Sequence, residues 1–180
     1  MHPDVLDLAA RQCGLIARRQ LTSLGIDWNQ VDRQVRAHRW AERSPRVVST
    51  TTGELTTEQQ RWLGVLHAGP RSLLGALTAG ARRGLKGWER TDVTVLVDGE
   101  LAFEPVSGIH FFRSRRSFDQ LADPRPGIPT ARLEPALLLW AGYDAPLRAA
   151  HGVLAAAVQQ RLTTADRMLA CVGQLRPLRR

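Results

Sequence analysis

Lysine is almost absent: Lys86 is the only one, so arginine supplies 24 of the 25 basic side chains in 180 residues. Several enzyme classes go with it. A phosphate-cradling Walker loop needs GxxxxGK[ST], and Lys86 sits instead in Arg83-Gly84-Leu85-Lys86-Gly87. Restriction-type nuclease cores place a lysine just after a metal-binding carboxylate on a strand, and no carboxylate here has one. The motifs HExxH and GxSxG are also missing. The five histidines (2, 38, 67, 110 and 151) are scattered singly, and none is assigned a catalytic role. Cys13 and Cys171 make no metal spacing, which favours a reduced cytoplasmic protein. No run approaches the roughly 18 apolar residues of a spanning helix. The N-terminus is acidic where a signal peptide is basic. The expectation is a non-enzymatic chain without metal, cofactor or membrane anchor.

What is present reads as a folded chain. Hydrophobic residues make up 43% and charged residues 23%, which suits a globular protein better than a disordered one. A length of 180 residues fits one medium domain or two small ones. The formal charge of +8 favours a polyanionic partner. Two causes give the same arginine count: a GC-rich genome favours arginine codons, and phosphate recognition favours planar forks.

Internal repeats and low-complexity tracts are lacking. The texture changes at Ser49-Thr50-Thr51-Thr52-Gly53-Glu54, a polar stretch that reads as a linker between residues 1–52 and 53–180. Before it, Val5, Leu8, Ala9 and Gln12 keep helical spacing, and Cys13-Gly14 stops the helix. Leu15-Ile16 leads into a second helix from Ala17 to Leu24, with Gly25 as its C-terminal cap. A third begins at Asp27, and Gln30 completes a capping box. On that helix Trp28, Val31 and Val35 share one face, with Asn29, Gln30, Arg33, Arg36 and Ala37 opposite. Arg39 to Glu42 and Val47 to Thr50 read as a hairpin around Arg43-Ser44-Pro45-Arg46. Three helices followed by a hairpin is the order of a winged helix-turn-helix.

Residues 11–46 hold eight arginines against Asp27, Asp32 and Glu42, a local net charge of +5. A charged face is also what any solvated helix presents. Such a helix more often carries Glu and Lys, however, and no glutamate lies between Asp27 and Arg39. Asn and Gln can read adenine edges, and Arg can read guanine.

The second part mixes helix and strand. Thr57 to Ala68 reads as a helix with Trp62, Leu63 and Leu66 inward, and Ser72 to Arg83 as another, stopped by Gly84. Asp92 to Val97 is a β-branched, alternating strand, Asp98-Gly99 signals a hairpin turn, and Ile109 to Arg113 is a second strand. Helices follow over Arg132 to Trp140, Pro146 to Gln160 and Ala165 to Val172. Arg113, Arg115 and Arg116 close the second strand as a basic cluster that could meet phosphate, an acidic partner or only solvent. Trp62, Trp88 and Trp140 read as core. The fold class expected is α+β, a winged helix followed by a mixed α/β domain.

The run Gln12-Cys13-Gly14-Leu15-Ile16-Ala17-Arg18-Arg19-Gln20-Leu21 resembles the opening of AbiEi-type antitoxins of type IV toxin–antitoxin systems. Further matches keep that family's order: Arg39-Trp40 with Pro45-Arg46-Val47-Val48, then Leu77-Thr78-Ala79-Gly80-Ala81 through Gly84-Leu85. Val93-Thr94-Val95, Arg132-Leu133-Glu134-Pro135-Ala136-Leu137-Leu138 and Ala157-Val158-Gln159-Gln160-Arg161-Leu162-Thr163 complete the series. The resemblance spans about residues 5 to 175. Ala17 stands where the family usually has a capping Thr, and Arg46 and Val48 replace the Gly and Tyr of its wing.

The resemblance implies a repressor that binds inverted repeats in double-stranded DNA at its own promoter and counters a nucleotidyltransferase toxin. It would place Asn29, Gln30, Arg33 and Arg36 in the major groove, and Arg43 and Arg46 on the wing against phosphate or the minor groove. Arg18 and Arg19 would approach the DNA backbone, and Arg113, Arg115 and Arg116 would serve the antitoxin partner. Many relatives continue into a Vsr-like endonuclease domain about where this chain stops, so no nuclease activity is expected. Two other readings remain open: a protein-interaction module without DNA binding, and the non-catalytic part of such an endonuclease protein.

Overall fold

A computed structural model describes residues 3–98, 104–176 and 178, and it is mixed α+β with two small sheets. The first six elements are α1 (Pro3–Arg11), β1 (Leu15–Ala17), α2 (Arg18–Ser23), α3 (Trp28–Arg36), β2 (Ala41–Ser44) and β3 (Val47–Ser49). The strands form an antiparallel sheet in the order β1-β3-β2, with Ile16 opposite Val48. Gly25, at φ +77°, lets the chain turn out of α2, while the Ile26 N–H donates to Leu21 O at 2.9 Å. Asp27 then starts α3: its carboxylate accepts from the Gln30 N–H at 2.7 Å, and the Gln30 side chain accepts from the Asp27 N–H at 2.9 Å. That is the capping box its spacing predicts.

Two local expectations in this part are corrected. Leu15–Ala17 is a strand and not a lead-in to a helix. All three residues are fully buried, so the alternation that marks a strand is missing from the sequence. Trp28 is not inward: it is 61% exposed, and Val31 and Trp40 fill the space with Val5, Ile16, Leu21 and Val48. At the first residue of α3, Trp28 lies outside that cluster and under the Arg18 guanidinium, 4.0 Å from its ring.

The remaining elements are α4 (Thr57–Ala68), β4 (Ser72–Leu74), α5 (Ala76–Arg82), β5 (Val93–Asp98), β6 (Ile109–Ser114), α6 (Phe118–Leu121), α7 (Leu133–Tyr143), α8 (Leu147–Gln159) and α9 (Ala165–Leu175). The second sheet runs β4-β5-β6, with β4 and β5 antiparallel and β5 and β6 parallel. The helix expected over Ser72 to Arg83 is therefore a strand and a shorter helix. Gly75 divides them where the backbone passes Leu96, so closely that a Cβ would stand 3.3 Å from the Leu96 Cβ. The Asp98-Gly99 hairpin is also corrected. β6 runs parallel to β5 and not back along it, with Val93 beside Ile109 and Asp98 beside Ser114. Gly99 itself is outside the described residues.

Helix α4 lies between the sheets. A Thr56 capping box starts it, and every residue from Trp62 to Ala68 is buried. Trp62, Leu63, Val65 and Leu66 share one apolar cluster with Leu15, Ala17 and Val47 of the first sheet and Leu74, Val93, Val95 and Val97 of the second. The polar stretch at residues 49–54 thus connects two halves that share a core, and no gap in packing falls at residues 52–53. On the other face of the second sheet, Leu96 meets the cluster built by α5, α7, α8 and α9 around Leu137. Two acidic residues tie this region together. Glu134 accepts from the Thr163 hydroxyl at 2.7 Å and pairs with Arg167 at 2.9 Å. Asp123 pairs with Arg83 at 2.6 Å and Arg125 at 2.9 Å. No helix of the described residues is long and apolar enough to cross a membrane.

Two outcomes check this packing. A methyl at Gly64 would meet Val95 Cγ2 at 2.7 Å, inside the shared core. Overpacking of about 1–3 kcal/mol outweighs the gain of about 1 kcal/mol from helix propensity, so Gly64→Ala lowers the urea midpoint. The hydrogen bonds from Arg125 are the largest cause that brings the Asp123 carboxyl down to about 2. A depressed carboxyl contributes stability above its unfolded pKa of about 3.9 and loses it as pH falls toward 2. The difference in melting temperature between wild type and Asp123→Asn should be largest above about pH 4 and shrink toward pH 2.

Candidate nucleic-acid interface

The exposed face of α3 is built by its own burial pattern. Val31 is the residue of this helix buried in the core, which turns Asn29, Gln30, Arg33 and Arg36 to solvent. Arg36 leans back on Asp32 at 2.8 Å and stays 80% exposed. The Gln30 carbonyl oxygen is occupied by the cap. Gln30, Gln34 and Arg33 line an open groove of about 570 Å³ with Val5, Ile26, Arg39 and Trp40. The Trp40 indole N–H is buried there and has no hydrogen-bond partner among the described residues. Buried donors without partners are rare in folded chains. Arg39 and Gln34 were missed as groove residues, because a one-dimensional reading assigned Arg39 to a strand. The fold puts it in the turn after α3, beside His38 at φ +52°.

Other expected contact residues serve the fold itself. Arg18 is held by Glu42 at 3.0 Å and by the Trp28 ring, with 16% of its side chain exposed. Arg19 donates to Leu66 O at 2.6 Å, and burial, then the charge of Arg46, lowers its pKa. Arg43 is not in the turn but in β2. It donates to Ser49 Oγ at 2.7 Å and to the carbonyls of Thr51 and Gly53 at 2.8 and 2.6 Å, binding the connecting stretch to the sheet. Arg46 occupies the tight turn of the hairpin and is exposed. Behind that turn His67 is fully buried, with ring nitrogens 2.9 Å from Ser44 Oγ and 2.9 Å from Glu104 O. Burial, first of all, lowers its pKa.

The basic cluster expected at the end of β6 is divided. Arg113 and Arg115 are exposed. Arg116 is half-buried and turns inward, donating to Tyr143 Oη at 3.1 Å and Leu175 O at 2.9 Å. It ties the strand end to α7 and α9. Cys13 and Cys171 are free thiols. Among the described residues no group of three or more His, Cys, Asp or Glu could hold a metal ion.

No protein-family model matches the chain, and no curated protein matches it.

Trp28, which opens α3, and Trp40, four residues beyond its end, separate surface from core. Trp40→Ala should cost about 3–5 kcal/mol, as large buried aromatics do. Trp28→Ala should cost under about 1 kcal/mol, the worth of its exposed cation–π contact. Denaturant midpoints measure both, and equal costs would return Trp28 to the core.

Proposed function

We propose that residues 3–50 form a winged helix that binds double-stranded DNA through α3, and that the chain is a transcriptional repressor of the AbiEi type. The observation that carries this reading is the outward face of α3. Asn29, Gln30 and Arg33 stand side by side with Arg36, over a groove completed by Gln34 and Arg39. The helix carries base-reading side chains and no glutamate. The element order and the antiparallel β1-β3-β2 sheet support the same reading, since a winged helix needs a reading helix backed by a hairpin. A major groove about 12 Å wide admits one α-helix. The hairpin turn with Arg46 would then meet phosphate. The counter-toxin role rests on the ordered motif resemblance and not on a site of the structure. No catalytic step is proposed.

Binding of this kind is dominated by phosphate and collapses with salt. With about four phosphates neutralised, log K should fall against log[salt] with a slope near −4. Arg33→Ala removes an exposed side chain and leaves Val31 in place. It should cost about 1–3 kcal/mol on the preferred site and less on random duplex. Footprinting on the upstream region finds the site, and titrations at several salt concentrations give the slope. No binding at low salt would leave the interaction-module reading.

A further inference from the structure

A concentration of positive charge in a concavity lies outside α3. A cavity of about 460 Å³ is lined by Arg82 and Arg83 at the end of α5, Arg125 and Arg132 before α7, and Arg161 and Arg167 around the start of α9. Against these six guanidiniums the lining holds the two carboxylates of Asp123 and Glu134. Both carboxylates are 9% exposed, so they act as anchors beneath the arginines. Asp123 fixes Arg83 and grips Arg125 through both of its oxygens. Glu134 fixes Arg167, and Glu58 of α4 fixes Arg82. Arg132 donates to the carbonyl of Gln120. The anchoring leaves donors over: Arg83 Nε is buried and has no hydrogen-bond partner among the described residues.

Arg161 is the most telling member. It follows α8 in the left-handed conformation, at φ +57°, the place where helices usually carry glycine. Its N–H donates to Val158 O at 2.9 Å, and the next N–H, of Leu162, donates to Ala157 O at 3.0 Å. The turn is a Schellman motif made with an arginine against steric preference. Arg161 lines the cavity and makes no ion pair with any described residue.

We propose that this cavity binds a small phosphate-bearing ligand, a diphosphate or a nucleoside diphosphate. The volume is that of a small-molecule site. Arginine forks match phosphate oxygens two at a time, and anchored forks lose little freedom on binding. A concave, carboxylate-braced site suits a compact anion that enters it, whereas a duplex backbone needs an outward ridge. The site is independent of the DNA reading: it shares no residue with the α3 groove.

Calorimetric titration of the full chain at low salt with inorganic phosphate, pyrophosphate and ADP tests it. Pyrophosphate or ADP should bind saturably at one site per chain, and more tightly than phosphate. Tighter ADP than pyrophosphate identifies a nucleotide, and the reverse identifies the diphosphate group alone. The double variant Arg125→Ala/Arg161→Ala should weaken binding at least tenfold. Both side chains are exposed, and Asp123 keeps Arg83 as its partner. Arg33→Ala should bind the anions as wild type does, which keeps this result separate from the DNA reading. Each bound ligand should also raise the melting temperature of wild type and not of the double variant. Absence of saturable binding, equal binding by the double variant, or displacement of ADP by duplex DNA but not by pyrophosphate would overturn the proposal.

Discussion

The structure depends on the burial of α4 between two sheets. A helix that is buried from Trp62 to Ala68 faces water on no side there, and each sheet alone covers only part of it. The first sheet contributes Leu15, Ala17 and Val47, and the second contributes Leu74 and the Val93, Val95, Val97 face of β5. Gly64 lets β5 and β6 come close enough to close that contact. Among the described residues each sheet has three strands, and such small sheets are marginal by themselves. The helix supplies the surface each of them lacks. It follows that α3, the proposed reading element, is held on a platform that the second half of the chain helps to build.

Polar contacts extend the same joint. Arg19 reaches from α2 to the Leu66 carbonyl on α4, and Gln59 of α4 donates to the Cys13 carbonyl at 2.9 Å. Arg43 gathers the connecting stretch by three hydrogen bonds, and His67 bridges the β2–β3 hairpin to the segment at Glu104. A polar run in sequence therefore became a fastened strap. Side-chain and backbone groups that look like linker chemistry in one dimension are here satisfied by residues on either side of it.

How far the sequence revealed this follows from what each signal measures. The capping box at Asp27 depends on residues three positions apart, and the local pattern sufficed. So did the β-branched alternation of β5. The strands Leu15–Ala17 and Ser72–Leu74 were hidden because three buried residues carry no alternation. The parallel pairing of β5 with β6 was hidden because an Asp-Gly pair reports only its own turn preference, while pairing is decided by which faces are buried. For the α3 face, spacing found Asn29, Gln30, Arg33 and Arg36. It could not find Arg39 or separate outward arginines from Arg18 and Arg43, because that difference lies in long-range partners. The cavity of six arginines drew residues from four separate stretches, a convergence invisible to any local pattern.

That separation bears on why the basic residue is almost always arginine. Codon preference of the kind a GC-rich genome imposes would account for the number but is indifferent to position. The partners are not indifferent. Arg43 reaches a hydroxyl and two carbonyls at once, Arg125 grips both oxygens of one carboxylate, and Arg116 bonds a phenol and a carbonyl while facing a ring. An ammonium is a compact point donor and cannot span such sets, whereas a planar fork of five N–H groups can. The lone Lys86 stands in an exposed loop, with its backbone and not its ammonium held by Gln160. Composition set the supply of forks, and the fold uses many of them as multi-point clasps, while Arg33 and Arg36 stay exposed on the α3 face.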